Sequence, residues 1–316
     1  MVLSDGCATP PRVRVLGAGA GGGSPQWNCN CEVCARIRRG DGPRRTQTSL
    51  ALSADGERWA LINAAPELGE QVIGCPSLHP QRKGRHSPIE AVVLTGGEVD
   101  QVAGLLTMRE GESFSLYASD TVHATLDESV IFDVLDPRGV PRRRLTLDEP
   151  TQIRDGDGRA LGIAVEPFAV PGKIPLYRET RGQTPEIGQS TEHNIALRID
   201  LGSTHFFFIP CCAAVPPWLQ RRVAGSPLLL FDGTLWHDEE LIEAGLTEKT
   251  GRRMGHISIS GHQGVLEKFC DSRIQRKVFI HINNSNPVLL DDTEQRRKVE
   301  EAGWEVAYDG MELLHR

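Results

Sequence analysis

Short apolar segments that end in polar or glycine-rich clusters recur along this chain and constrain its fold more than any other feature. The runs at 90–96 and 226–233 are continuously apolar, and the run at 12–16 alternates. Their lengths and branched residues are typical of strands. Helical spacing lies between the strands, at 98–111, 120–135, 215–225, 263–271 and 292–303. We therefore predict an α/β or α+β sandwich with its sites at strand ends.

The chain has the organisation of one domain. Its 316 residues are enough for a sizeable core, and neither a linker nor an internal repeat interrupts them. The segment 49–64 predicts a hairpin whose turn contains Asp55 and Gly56. We expect a single domain over residues 1–316, with a cysteine-containing loop near its N-terminus.

Charge and apolar runs limit the classes of partner. The formal net charge is −7 and no basic block stands out, which argues against nucleic-acid binding. No apolar stretch approaches the length of a membrane span, and the first residues lack a signal-peptide pattern. We expect a cytoplasmic protein without nucleic acid or membrane as a partner. Association into a homodimer is left open.

A glycine-rich segment follows the first predicted strand. Gly17, Gly19 and Gly22 satisfy the G-x-G-x-x-G pattern of dinucleotide sites. Such a site needs a helix directly after the glycines, but Ser24 and Pro25 lead into cysteines instead. We interpret the segment as a turn that requires positive φ or close backbone approach.

Three cysteines lie close together after this turn. Cys29, Cys31 and Cys34 form C-x-C-x-x-C, and thiolates at this spacing can converge on one tetrahedral Zn²⁺. Packing of small apolar side chains is the alternative. We predict a structural zinc in the loop 24–36, with a fourth ligand from elsewhere.

Carboxylates and imidazoles follow several of the later strands. Glu98 and Asp100 come after one strand, and Asp232, His256 and His281 come at or after others. Each residue alone is commonly a cap, a turn residue or a core side chain. Together they form a set of oxygen and nitrogen donors that suits Fe(II), Mn(II) or Zn(II).

Several segments closely resemble the pyrroloquinoline quinone biosynthesis protein B family of the metallo-β-lactamase superfamily. They include GSPQWNCNCEVC, SPIEAVVLTGGEVDQVAGLLTMREG, FDGTLWHDEEL, TGRRMGHISISG and HINNSNPVL, and they extend over roughly residues 13–311. The resemblance implies a four-layer αββα sandwich with zinc on the cysteine loop. It also implies an Fe²⁺- and O₂-dependent hydroxylase that acts on the tyrosine side chain of a peptide-derived intermediate.

The resemblance also assigns roles to the candidate site residues. The family's metal motif falls on Glu98, Asp100 and Gln101, with His281 as a further iron ligand. Asp232 and His256 become candidates for a ligand, an orienting group or proton transfer, and Gln101 joins them as a catalytic candidate. Weaker candidates for the substrate pocket are His193, His237 and Cys212.

This sequence departs from the family pattern near the expected site. Gln101 stands where the motif normally has His, and an amide oxygen is a poorer iron ligand than an imidazole. Cys211 replaces a usual Gly, and Glu98, Ala65 and Glu67 also differ from the family's residues. A relative with an altered substrate, an altered metal or weakened catalysis is therefore an alternative.

Two other functions are weighed against the hydroxylase. The first is a non-catalytic carrier of the cofactor product, in which Gln101 marks a lapsed metal site. The second is a superfamily hydrolase, which we disfavour because no histidine lies between His86 and His123. The position expected for the fourth zinc ligand is Asn284, a weak ligand, and this point stays open.

Overall fold

The computed structural model describes residues 11–110, 112–179 and 186–314, and within them thirteen strands form two sheets. The first sheet contains β1 (Arg12–Gly17), β2 (Ser49–Ser53), β3 (Trp59–Ile62), β4 (Ile89–Val93), β5 (Ser115–Ala118) and β6 (Arg142–Arg144). The second contains β7 (Thr151–Arg154), β8 (Ala160–Gly172), β9 (Gln189–Leu201), β10 (Thr204–Ile209), β11 (Leu228–Asp232), β12 (Arg276–Ile280) and β13 (Trp304–Val306).

Each sheet is mixed. The strands of the first lie in chain order, antiparallel from β1 to β3 and parallel from β3 to β6. The second has the order β13-β12-β11-β10-β9-β8-β7, parallel from β13 to β10 and antiparallel from β10 to β7. Parallel strands leave their carboxyl ends at one edge of each sheet, where ligand sites commonly form.

Helices cover the outer faces of both sheets. They are α1 (Glu32–Arg39), α2 (Leu68–Ile73), α3 (Val99–Val102), α4 (Asp120–Asp127), α5 (Pro217–Val223), α6 (Glu240–Glu243), α7 (Val265–Lys268) and α8 (Glu294–Glu301). Leu228 and Leu230 of β11 point into the core between the sheets, whereas Leu229 and Phe231 pack beneath α1, α5, α7 and α8. The continuous apolar run of this strand is thus buried on both faces.

The layered α/β fold predicted from the sequence is confirmed. The 49–64 hairpin is present as β2 and β3, but the helix expected over 98–111 is shorter than predicted. It continues from Ala103 as a 3₁₀ helix, and a Cβ atom at Gly104 would collide with the carbonyl of Ala65. The 3₁₀ helix, which winds more tightly than an α-helix, thus packs closely against the backbone of Ala65.

Two expectations about the whole chain stay predictions. The two sheets share a core, but the single domain over 1–316 is untested, and residues 1–10 and 315–316 lie outside the described residues. Across the described ranges, no helix combines the length and apolarity that a membrane crossing requires. The cytoplasmic location likewise stays a prediction.

Candidate metal-binding site

The carboxyl ends of four strands bring the predicted site residues together. β10, β11 and β12 run parallel, so Cys211, Asp232 and His281 reach the same edge of the second sheet. Asp100 reaches it from the loop and helix that follow β4 in the first sheet. Positions up to 181 residues apart in sequence thereby become neighbours.

A cavity of about 800 Å³ opens at this edge. Polar and charged side chains from both sheets and the loops between them line it, and they include Gln47, Glu98, Asp100, Gln101, Lys173, Glu179, His193, Cys211, Thr234, Lys249, Arg253, His256 and His281. This volume is within the range of small-molecule sites.

His281 lies at the centre of the contacts in the cavity. Its Nε2 atom is 3.0 Å from Asp100 Oδ2 and 3.8 Å from Cys211 Sγ. Burial opposes the charged imidazolium, but the thiol of Cys211 and the carboxylate of Asp100 together raise the pKa of His281 well above its ordinary value. His281 also has φ of +59°, an unusual backbone conformation for a residue with a side chain.

His256 stacks beside His281. The ring centroids are 5.3 Å apart with an interplanar angle of 22°. His256 follows Gly255, whose φ of +88° favours glycine, and its Nδ1 atom lies 2.7 Å from Asp232 Oδ2. When Nδ1 donates its proton to this carboxylate, Nε2 keeps the lone pair that can bind a cation.

Asp232 and Thr234 hold the two imidazoles from behind. Asp232 is fully buried and also accepts hydrogen bonds from the backbone N–H groups of Cys212 and Thr234, at 2.8 and 2.9 Å. Thr234 Oγ1 lies 2.9 Å from His281 Nδ1 and 3.1 Å from His256 Nδ1. Asp232 therefore occupies an orienting position, one of the three roles considered for it from the sequence.

Glu98 and Gln101 make other contacts. Gln101 Oε1 accepts the backbone N–H of Glu98 at 3.1 Å, which is one of the two hydrogen bonds of a capping box at the start of α3. The amide nitrogen of Gln101 donates separately to Thr95 Oγ1 at 3.3 Å. Glu98 Oε1 lies 3.1 Å from Lys173 Nζ. The structure thus brings Asp100 and His281 together and engages Glu98 and Gln101 elsewhere along the cavity wall.

Of the weaker pocket candidates, His193 alone lines the cavity among the described residues. Burial and the charge of Arg178 lower the pKa of its imidazole. Cys212 is fully buried beneath the second sheet, and its thiol donates to the carbonyl of Ala214 at 3.0 Å. His237 lies nearer the surface, where it pairs with Glu243. Cys211 and Cys212 are adjacent in the chain, yet the first lines the cavity and the second packs in the outer core.

The three loop cysteines form a second cluster. The sulfur atoms of Cys29, Cys31 and Cys34 lie within 4.8 Å of one another, as a shared cation would require. Burial and the neighbouring sulfurs raise the pKa of Cys31 to about 12. Asn284 is adjacent, because its side-chain Nδ2 atom lies 3.2 Å from Cys34 Sγ and its backbone carbonyl oxygen lies 3.7 Å from the same sulfur. The donor types suit zinc, and the side chain of Asn284 contacts two of the three sulfurs, those of Cys31 and Cys34.

The glycine segment forms part of the cavity wall. Gly22 and Gly23 have φ of +95° and +65°, and the first helix after them begins only at Glu32, so the predicted turn is confirmed. Ala20 donates a backbone hydrogen bond to Ile282, immediately after His281. A side chain on Gly21 would approach Asp100 Oδ2. The segment therefore lies beside the candidate ligands, and its glycines at 22 and 23 serve the turn itself.

Sequence reasoning missed several residues of the cavity. Thr234 was not singled out, although its position two residues after Asp232 on the same strand end offered a signal. Lys173 bridges Glu98 and Glu179, with Nζ–O distances of 3.1 and 3.6 Å, and Arg253 pairs with Glu179 at 2.9 Å. No local pattern marks these ion pairs, because their members are far apart in sequence.

Comparison with known proteins agrees with this architecture. Residues 58–282 match the beta-lactamase superfamily domain. Coenzyme PQQ synthesis protein B of Gluconacetobacter diazotrophicus is 48% identical over 301 residues, covering 95% of this chain and 98% of the relative. The protein of that name from Methylorubrum extorquens is 46% identical, covering 95% and 99%.

Solved structures give the same result. The crystal structure of Zn²⁺-bound PqqB from Methylobacterium extorquens has a TM-score of 0.91 at 45% identity, covering 96% of this chain and all of that one. A diphosphatase of the PhnP family has a TM-score of 0.64 at 20% identity, which supports the fold alone. The chain belongs to the coenzyme PQQ synthesis protein B family, within the metallo-β-lactamase superfamily.

Proposed function

We propose that this protein is an Fe²⁺- and O₂-dependent hydroxylase of a tyrosine-derived substrate in pyrroloquinoline quinone synthesis. The observation that carries the proposal is the convergence of Asp100, His256 and His281 on one cavity. One carboxylate and two imidazoles are the donors of non-haem Fe(II) oxygenases, whose remaining positions are open. Asp100 is in contact with His281 and His256 stacks on His281, so these three side chains can supply the donors without Glu98 or Gln101.

The chain's own residues prepare these donors. The hydrogen bond from His256 Nδ1 to Asp232 fixes one ring, and the contact of Thr234 Oγ1 with His281 Nδ1 fixes the other. Both Nε2 atoms then keep the role of ligand. Bound Fe(II) would supply O₂ activation. One oxygen atom enters the substrate as a hydroxyl group and the other leaves as water, with two electrons from an added reductant.

The cavity's charges favour an ionised substrate with groups of both signs. Lys173, Lys249 and Arg253 line it together with Glu98, Asp100 and Glu179, and Lys173 and Arg253 already pair with Glu98 and Glu179. The carboxylate and amino groups of a tyrosine-derived compound can therefore each meet a side chain of opposite charge on this wall. His193, whose pKa is lowered by burial, is the neutral imidazole on that wall and can accept a proton from a phenolic hydroxyl.

Metal analysis combined with turnover tests the proposal. Protein reconstituted with Fe(II) under anaerobic conditions should contain iron in addition to zinc, and Asp100→Asn should lose the iron and keep the zinc. Asp120→Asn, which alters an exposed ion pair with Arg144, is the matched control and should keep both metals. Tyrosine-containing compounds are then incubated with O₂ and ascorbate, and hydroxylated product is measured by mass spectrometry.

The outcomes separate the proposal from its alternatives. Iron that binds and supports O₂-dependent hydroxylation supports the hydroxylase. Zinc alone, together with tight binding of the quinone product and no turnover, indicates the carrier. Hydrolysis without O₂ consumption indicates a superfamily hydrolase. Either of the last two results contradicts the proposed function.

A further inference from the structure

The thiol of Cys211 lies in the wall of the cavity, beside the two histidines. Cys211 follows β10 by two residues, and its Sγ atom is 3.8 Å from His281 Nε2. Three possible ligand atoms, one each from Cys211, His256 and His281, lie within 4.8 Å of one another. Two imidazoles and a thiol at these distances can bind one cation.

The same carboxylate holds Cys211 and His256 in place. Asp232 Oδ2 accepts both the backbone N–H of Cys212, at 2.8 Å, and Nδ1 of His256, at 2.7 Å. The carbonyl of Cys211 accepts the side-chain amide of Asn194 at 3.1 Å. The peptide that carries the thiol is therefore fixed on both sides, with no rearrangement of the chain needed to present the sulfur.

The neighbouring cysteine provides an internal contrast. Cys212 is fully buried, and its thiol donates to the Ala214 carbonyl inside the outer core of the second sheet. Cys211 instead faces the cavity. The two cysteines follow the same strand. Packing in the core explains why a cysteine stands at 212, but it does not explain the cysteine at 211.

We propose that Cys211 is a ligand of the cation held by His256 and His281, so that this site combines a thiolate with imidazoles and the carboxylate of Asp100. On coordination, the thiol proton leaves to solvent and the sulfur donates a lone pair. A thiolate makes the site softer and shifts its selectivity toward Zn²⁺, Co²⁺ and Cu⁺ relative to a site of nitrogen and oxygen donors alone. The inference shares with the proposed function only the presence of a cation in the cavity, not its identity or the reaction.

Cobalt(II) is the probe, because thiolate ligation gives it an intense near-ultraviolet charge-transfer band. Protein with its loop zinc retained, verified by elemental analysis of each sample, is titrated with Co²⁺ without oxygen. We expect a saturable band that reaches one cobalt per chain. Cys211→Ser should lose the band and weaken cobalt binding by about 10-fold or more.

Cys212→Ala is the matched control and should keep both the band and the affinity. Cys270→Ser, which removes an exposed thiol, should do the same. The wild-type spectrum tests the inference even where a variant folds poorly, because cobalt bound without a thiolate band contradicts it directly. Retention of the band in Cys211→Ser also overturns it.

The cobalt experiment tests the role of Cys211 separately from the proposed hydroxylase activity. A wild-type protein that binds no cobalt beyond its zinc contradicts both proposals. A thiolate-free cobalt site contradicts only the role of Cys211. A thiolate band in a protein whose iron form does not hydroxylate supports the Cys211 ligand and contradicts the hydroxylase.

Discussion

The Nε2 atom of His281 lies 3.0 Å from Oδ2 of Asp100, across the boundary between the two sheets. Burial alone would raise the pKa of Asp100, but the hydrogen bond and charge of His281 hold it below the usual value. Both side chains are largely buried, with 7% and 13% exposed. This pair therefore joins the side of the cavity formed by the first sheet, which carries Asp100, to the side formed by the second, which carries His281.

Replacement of Asp100 by Asn should have two separate effects on stability. Loss of the charged hydrogen bond should lower the unfolding free energy of the metal-free protein by about 1.5–3 kcal/mol. The stabilisation that added Co²⁺ gives the wild type should also shrink. The variant lacks one of the proposed ligands, and an ion that binds only the folded state stabilises it more the tighter it binds. Denaturant unfolding with and without Co²⁺ measures both. An undiminished cobalt effect in the variant would remove Asp100 from the ligand set.

Gln101→Ala should affect stability and leave metal binding unchanged. The side-chain amide caps the start of α3 through the backbone of Glu98. Its removal should cost about 1 kcal/mol, as for other capping residues. The unfolding free energy and the cobalt titration are measured on the same preparation. Weaker cobalt binding by the variant would restore Gln101 as a ligand.

Cys34→Ser should release the zinc expected on the cysteine loop. Val33 and Ile37 of α1 pack into the outer core, so loosening this loop reaches the second sheet. We expect a loss of about 3–4 kcal/mol, the stabilisation from a ligand at several hundredfold its Kd or more. Elemental analysis and thermal unfolding check this result, with Cys270→Ser as control. Full zinc occupancy in the Cys34 variant would contradict the loop site.

Asp232→Asn should weaken the cavity metal without removing a ligand. An amide cannot accept hydrogen bonds at both of its ends. The variant therefore loses either the two contacts at Oδ2, with His256 and the backbone of Cys212, or the contact at Oδ1 with the backbone of Thr234. Loss of such an orienting partner typically costs about 10–100-fold in metal affinity. The Kd for Co²⁺ measures this effect. We expect the charge-transfer band to persist at saturation, and an unchanged Kd would deny Asp232 its orienting role.

Glu240 should give the protein a pH-dependent stability. Burial raises the pKa of its carboxyl to about 7, although Ser285 and the backbone of Trp236 donate hydrogen bonds to it. The protonated form is therefore favoured by folding. Its stabilisation is complete below the ordinary pKa of about 4.5 and is lost as the pH rises through 7, by up to roughly 3 kcal/mol.

Replacing Glu240 by Gln should flatten this dependence. The difference in unfolding free energy between wild type and variant is measured at pH 5 and pH 8, and it should shift in favour of the variant at pH 8. Glu243→Gln, at a mostly exposed neighbour, is the control and should follow the wild type. Parallel profiles for wild type and Glu240→Gln would show that this carboxyl is ionised throughout.

The layered fold was predictable because each buried strand carries its own local signal. Leu228 to Phe231 form a short apolar run that helices must cover on one side and a second sheet on the other. The break in the helix after Val102 was not predictable, because it depends on how closely Gly104 packs against the backbone of Ala65. That contact is set by tertiary structure rather than by periodicity.

The site was predictable where residues follow strand ends. Asp100, Asp232 and His281 stand at such ends, and parallel strands bring them to one edge. The spacing of Glu98 and Gln101 fits a metal motif and a capping box equally well. In the structure the two residues form the capping box. The sequence marks Cys211 only as a departure from the family pattern, because its distance to His281 depends on the register of β10, β11 and β12.

His281 and Asn284 lie on one short segment after β12, the first facing the cavity and the second touching the loop cysteines. A chelator strong enough to strip the loop would therefore disturb the backbone that carries the cavity imidazole. Preparations that retain different amounts of zinc would then differ in their affinity for a second metal ion. For this protein, purification conditions become an experimental variable for metal binding in the cavity, and samples should be compared only at equal zinc content.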